Sequence, residues 1–368
     1  MVKKTFPFFS VKGRMRIVGP FLLDLKVLNR KREILMWLKS RGGTMKLQIL
    51  IKRYGVLLLC LFLLASCGQP MSSGNLKKAG LLVPDTVNDQ VWGTKGYKGM
   101  LKIQSHYNVE VYYKEGMNSE LVVERAVKEF DQKGVNIIFG HGNEYAEYFN
   151  QISNKYPHIH FVCFNGDAEN SNVTSINFEG YAMGFFGGMI SGYMTKTNTV
   201  GIIAAFEWQP ELEGFYKGAN YQNQDVNVII EYTGDWDDNQ KANIMLDKLI
   251  AKGADVIYPA GDGYNVNVIE KIKEKGHYAI GYISDQSDLG ESVVLTSTVQ
   301  HVDALYELVA EKFNKGELPS GNLSFDFQDG VISLGKFSSN VDQAYINTIN
   351  EAIEEYKKSG KLPNELNN

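Results

Sequence analysis

Trp92, Trp208 and Trp236 each stand in a short polar segment, PDTVNDQVWG, AFEWQPE and TGDWDDN, where little in the sequence would bury an indole. Trp is usually well covered in folded proteins, so a ring set among Asp, Asn and Glu needs a flat partner. A planar or sugar-like molecule stacked between Trp faces, with Asp and Asn on its polar edge, meets that need. Rings that merely plug a cleft between two lobes would meet it too. Similar segments recur as GHGNEY, NGD, AGDGYN and ISDQSD. The chemistry on offer is stacking and hydrogen bonding. Bond-breaking groups are absent: the chain has no Gly-x-Ser-x-Gly elbow, no His-Glu-x-x-His and no Walker-type loop. His158 and His160 share one strand face but lack a third metal ligand. Asp235, Asp237 and Asp238 lack the Gly and Glu of a calcium loop and read as a helix cap. The expectation is a binding protein that is not an enzyme and carries no metal or cofactor.

The elements that must hold these segments alternate. Apolar runs of strand length are predicted at 80–83, 109–113, 135–139, 159–164, 173–176, 200–204, 226–232, 256–259, 278–282 and 293–298. Helix-period segments lie between them at 93–104, 119–133, 144–156, 180–195, 211–223, 240–252, 266–275 and 302–315. Alternation of this kind builds doubly wound parallel sheets, and in such sheets ligands bind beyond the carboxyl ends of the strands. The Trp-bearing segments all follow predicted strands or open the next helix. LVVERAVKEFDQKGVNIIFGHGNEYAEYF and IMLDKLIAKGADVIYPAGDGYNVNVIEKI share one cadence of helix, strand, Gly-x-Gly turn and helix, which predicts two equivalent lobes.

Lys46, Lys52 and Arg53 precede an apolar run that ends in Leu64-Ala65-Ser66-Cys67, the layout of an export signal closed by a lipobox-like cysteine. Acylation of Cys67 would tether the chain to the outer face of a membrane, each buried CH₂ contributing about 0.8 kcal/mol. Residues 1–44 hold eleven Lys or Arg; they read as an extension before a true start at Met45, or else as a basic arm for nucleic acid. Residues 1–66 carry 14 of the 38 bases and 2 of the 42 acids, so the remainder holds 24 and 40, a net charge of −16. A surface that acidic repels phosphate backbones, so no direct nucleic-acid binding is expected. Cys163 lies in an apolar strand and reads as a small buried hydrophobe.

PDTVNDQVWGTKGYKG, GADVIYPAGDGYN, AIGYISDQ and VLTSTVQ resemble, in order, blocks of the basic-membrane-protein (PnrA-like) family of nucleoside-type binding lipoproteins. NDQVWGTKGYKG, GHGNEYAE, GFFGGM, WQPE, WDD and SDQSDLGE are similar to its Med-type branch of competence regulators. The resemblance implies a type I periplasmic-binding fold of two Rossmann-like lobes joined by three hinge crossings. It implies a ligand site at Asp85, Thr86, Asp89, Trp92, Asn165, Trp236 and Gly261. Ile283 stands where the family commonly has an Asp for ribose hydroxyls, and Gln300 where it commonly has a Lys. The expected segments are the extension 1–44, signal 45–66, lipidated tether 67–78, lobe I at 79–196 with 298–316, and lobe II at 197–297 with 317–368. The expected partners are a nucleoside-like or heterocyclic ligand, the membrane, and an ABC permease or a membrane signalling protein. The chain is expected to be a monomer.

Overall fold

The computed structural model describes residues 74–88 and 92–366, so the predicted signal, Cys67, most of the tether and Asp89 lie outside the described residues. Two six-stranded sheets carry the fold. The first holds β1 (Lys78–Leu82), β2 (Glu110–Lys114), β3 (Ile137–Gly140), β4 (His160–Phe164), β5 (Val173–Phe178) and β11 (Gly321–Phe325). Its order is β11-β5-β4-β3-β1-β2, with every pairing parallel. The second holds β6 (Thr199–Ala204), β7 (Asn227–Tyr232), β8 (Val256–Ala260), β9 (Tyr278–Ile283), β10 (Val294–Gln300) and β12 (Ile332–Leu334). Its order is β12-β10-β9-β8-β6-β7, and only β12 runs antiparallel. The helices are α1 (Trp92–Tyr107), α2 (Glu120–Gln132), α3 (Glu144–Ile152), α4 (Gly180–Met194), α5 (Pro210–Gln222), α6 (Asn239–Ala251), α7 (Asn265–Glu274), α8 (Val302–Asn314) and α9 (Gln343–Ser359). This is the predicted alternating α/β architecture, with β11, β12 and α9 added to the predicted set.

The sheets' near-continuous apolar strands follow from cover on both faces. All five residues of β4 and of β8 are buried. Strand order reverses beside β1 in the first sheet and beside β6 in the second, which opens a crevice at β1/β3 and another at β6/β8. The chain leaves one lobe for the other after β5, after β10 and after β11, each time from a strand's carboxyl end. Both carboxyl edges therefore border one hinge. Glu179 N–H donates to Phe325 C=O at 2.9 Å, and His301 N–H donates to Val331 C=O at 2.8 Å, which ties the crossings side by side. In the hinge, burial raises the Asp326 carboxyl above its usual range, against the opposing bonds from the Tyr356 hydroxyl and the Phe327 N–H.

The exchange points differ from the expected ones. Helix α4 packs on β8, β10 and β12 and so stands with the second sheet, as do residues 298–300 of β10, whereas residues 321–325 of β11 edge the first. The reason lies in α4 itself. GYAMGFFGGMISGYM is buried nearly all round, and Gly184, Gly188 and Gly192 face α5 at backbone distance. A Cβ on Gly184 would lie 2.0 Å from Glu211 O, and one on Gly188 2.1 Å from Phe215 O. Only two helices stripped to glycine at that seam can approach so closely.

Candidate ligand-binding cleft

The wall contributed by the first sheet is built around Trp92. The loop after β1 is braced by Glu115, whose carboxylate accepts from the Thr86 hydroxyl at 2.7 Å and the Val87 N–H at 2.9 Å; those bonds hold Glu115 below its usual range. Thr86 also accepts from Asn88 N–H, so it serves the loop's own geometry. Burial raises the Glu144 carboxyl at the start of α3, with a smaller contribution from the charge of Asp85, which is exposed at the turn. Trp92 opens α1 half-buried. One face of its indole lies on the His141 imidazole, with centroids 4.5 Å apart and planes 12° from parallel, and its ring meets Phe164 edge-on at 5.2 Å. Asn165 follows β4 exposed and in the left-handed region at φ 53°, where Asn is tolerated.

The second sheet contributes a wall of aromatic rings and a buried polar brace. Phe206 stacks on Trp208 at 5.7 Å, and Trp236 meets Phe206 at 5.4 Å and Trp208 at 5.8 Å, both edge-on. Trp208 remains 62 % exposed and also walls an outer groove of about 410 Å³ with Leu212, Tyr216, Ile230 and Tyr232. Beneath the rings, Gln209 donates to Glu211 at 2.9 Å and to Ala260 C=O at 3.0 Å, and accepts from Phe206 N–H at 2.8 Å. Tyr282 donates its hydroxyl to the same Glu211 oxygen at 2.8 Å. Three strand ends are locked in register by this brace.

The remaining predicted positions have distinct settings. A Cβ on Gly261 would fall 2.0 Å from the Tyr264 ring, whose hydroxyl reaches Ile203 C=O at 3.1 Å, so glycine there lets the ring pass beneath the turn. Ile283 is buried at φ 65°, the centre of a three-residue turn closed by Ser284 N–H to Tyr282 C=O at 2.8 Å. A β-branched residue there is strained. Gln300 ends β10 opposite Ile332, next to the second crossing. Sequence reasoning missed His141, Tyr306, Phe206 and the Gln209–Glu211–Tyr282 brace; of these, Phe206, Gln209 and Glu211 stand in AFEWQPE and His141 in GHGNEY, segments already set apart by their polarity, whereas Tyr282 and Tyr306 carried no signal.

The alternative chemistries fall apart in the fold. His158 pairs with Asp131 at the surface at 2.6 Å, while His160 is buried beside Thr174 at 2.7 Å. No group of three His, Cys, Asp or Glu among the described residues is placed to hold a metal. Asp238 caps α6 by accepting from Lys241 N–H at 2.8 Å, as its position predicts. Burial pushes the Cys163 thiol up to about 12, the behaviour of an inert core residue. No helix among the described residues is long and apolar enough to cross a membrane.

The chain is 54% identical over 314 residues to the Transcriptional activator protein med of Bacillus subtilis (strain 168), covering 85% of this chain and 99% of that one. It is 23% identical to the ABC transporter nucleoside-binding protein BmpA of Lactococcus lactis subsp. cremoris, over 74% of this chain and 87% of that one. Among solved structures it is similar to a transcriptional activator of the comK gene from Bacillus halodurans, with a TM-score of 0.74 and 52% identity over 78% of this chain and 99% of that one. An ABC transporter solute-binding protein from Conexibacter woesei shares the fold at a TM-score of 0.64 and 17% identity, over 78% of this chain and 99% of that one. A family model described as ABC transporter substrate-binding protein PnrA-like matches residues 76–365, across both lobes and all three crossings, and the chain belongs to that family, Bmp.

Proposed function

We propose that this protein is an extracytoplasmic receptor, lipid-anchored at Cys67, that closes its two lobes on a nucleoside-like or other flat heterocyclic ligand. The observation that carries the reading is the pairing of switch points with rings. Trp92 on its imidazole support follows β1, and Phe206, Trp208 and Trp236 follow β6 and β7. Asp85, Asn165, Gly261 and Gln300 would supply the polar edge. Closure is driven only by the ligand's higher affinity for the closed form. A thermal-shift screen of the purified protein against adenosine, guanosine, uridine and their free bases tests it. A ligand at 100 times its Kd stabilises a fold by about 2.7 kcal/mol. Trp236→Ala should abolish that shift at a cost near 1 kcal/mol to the empty protein, since only ring-edge contacts are lost. A cost of several kcal/mol would mark the ring as core packing instead.

The closed form is then read by a membrane partner. The family's substrate-binding description favours an ABC permease, with this chain as capture subunit. The 54% identity to a protein named as a transcriptional activator favours a second output, regulation through a membrane signalling protein. Metabolic labelling with a palmitate analogue lost on Cys67→Ser supports the anchored form. An unlabelled cytosolic chain would support a direct transcription factor. Deleting neighbouring permease genes separates the two membrane outputs: import requires them, and regulation does not.

A further inference from the structure

We infer that His141 is a positioning residue that sets the plane of Trp92, and that Gly96 and Gly99 of α1 are the openings that admit the His141 ring and, behind it, the Tyr306 ring that holds it. The inference rests on the reading that Trp92 stacks a ligand. His141 is fully buried. Its Nε2 lies 2.6 Å from Trp92 C=O, an oxygen that can only accept, so Nε2 carries the proton. Its Nδ1 lies 2.8 Å from the Tyr306 hydroxyl, which therefore donates. One neutral tautomer satisfies both bonds. The imidazole thus holds the Trp92 backbone through a hydrogen bond and its indole through stacking, while Phe164 abuts both rings edge-on, at 5.2 and 5.4 Å. One face of the indole is occupied by protein, and stacking by a guest is left to the other.

The sequence of α1 is shaped to this arrangement. A Cβ on Gly96 would come within 2.8 Å of the His141 ring, and one on Gly99 within 2.7 Å of the Tyr306 ring. Glycine three residues apart on one helix face admits both rings side by side. Tyr306 belongs to α8, the first element after the second hinge crossing, and stacks on Phe139 at 4.4 Å. His141, from the loop after β3, therefore meets three separate stretches of chain: Trp92 and the glycine face of α1, Phe164 at the end of β4 and Tyr306 of the hinge-following helix.

The test uses the full chain with Trp37, Trp208 and Trp236 replaced by Phe, so that Trp92 alone fluoresces. Acrylamide quenching is compared for this parent, His141→Leu, His141→Gln and Tyr306→Phe. The expected result is a Stern–Volmer constant that at least doubles in His141→Leu, returns most of the way in His141→Gln, which keeps a donor at the Nε2 position, and rises in Tyr306→Phe with little change in melting temperature. Equal quenching in all four proteins would overturn the inference whatever the ligand. Calorimetry with guanosine and with adenine, in the native-Trp protein, then reads the consequence: at least tenfold weaker binding in His141→Leu, recovered in His141→Gln. If the native protein binds neither probe nor any of the screened compounds, the ligand reading fails while the quenching result still decides the ring support. If it binds and the His141 variants bind equally well, positioning is refuted.

Discussion

At the level of single residues, Ile283 shows how substitution and backbone diverge. The turn keeps a left-handed conformation at φ 65° although an Ile now occupies it. Asp and Asn are far better suited to that region, so Ile283→Asp should relieve about 1–2 kcal/mol of strain and offset part of the burial it forfeits. A carboxylate there gains about 1.5–3 kcal/mol per bond to a diol, so affinity for guanosine over guanine should rise at least tenfold in paired titrations. An unchanged ratio would remove Ile283 from the site. His160 gives a second test. Burial lowers its pKa to about 4, below the ordinary imidazole value of 6.5, so the stability it contributes is present above 6.5 and is lost as pH falls through about 4. Relative to His160→Gln, the parent should lose about 3 kcal/mol across that window in denaturant titrations. Parallel curves would contradict the buried neutral ring. The comparison must be relative, because burial raises Glu144, Glu179 and Asp326, which shifts stability the other way on acidification. Trp92 and Trp236 were legible in the sequence because large rings in polar segments are conspicuous. His141 was not, since its partner Tyr306 lies 165 residues away and a His between two glycines reads as a turn.

Among the elements, the seam between α4 and α5 decides what the second lobe can tolerate. Gly187 and Gly188 are neighbours on α4 with opposite environments. A Cβ on Gly187 meets Thr298 and Ile280 at ordinary contact distances of 3.4 and 3.6 Å, whereas one on Gly188 meets backbone at 2.1 Å. Gly188→Ala should therefore cost at least about 2 kcal/mol through forced separation of the helices. Gly187→Ala should be neutral or stabilising by up to about 1 kcal/mol through helix propensity. Thermal melts of the two variants that move together would contradict the seam. Strands β1 to β10 and eight of the nine described helices were readable from period and flanking turns. Strands β11 and β12 were not, because five- and three-residue edge strands with half-exposed faces carry little apolar signal. Helix α9 was not among those read, although its buried Tyr345, Ile349, Ile353 and Tyr356 stand at helical spacing. The lobe exchange points were hidden because a hinge crossing has no composition of its own.

For the whole molecule, every crossing leaves a strand's carboxyl end, so hinge and cleft share one edge and anything seated on that edge acts directly on lobe separation. Lobe closure is measured most directly as the distance between spin labels on Leu121 of α2 and Ile244 of α6, two exposed positions on opposite lobes, read by pulsed electron resonance with and without a compound found to bind. Binding should narrow the distribution and shift it to shorter distance, an effect lost in Trp236→Ala. A bound compound that leaves the distribution unmoved would contradict lobe closure.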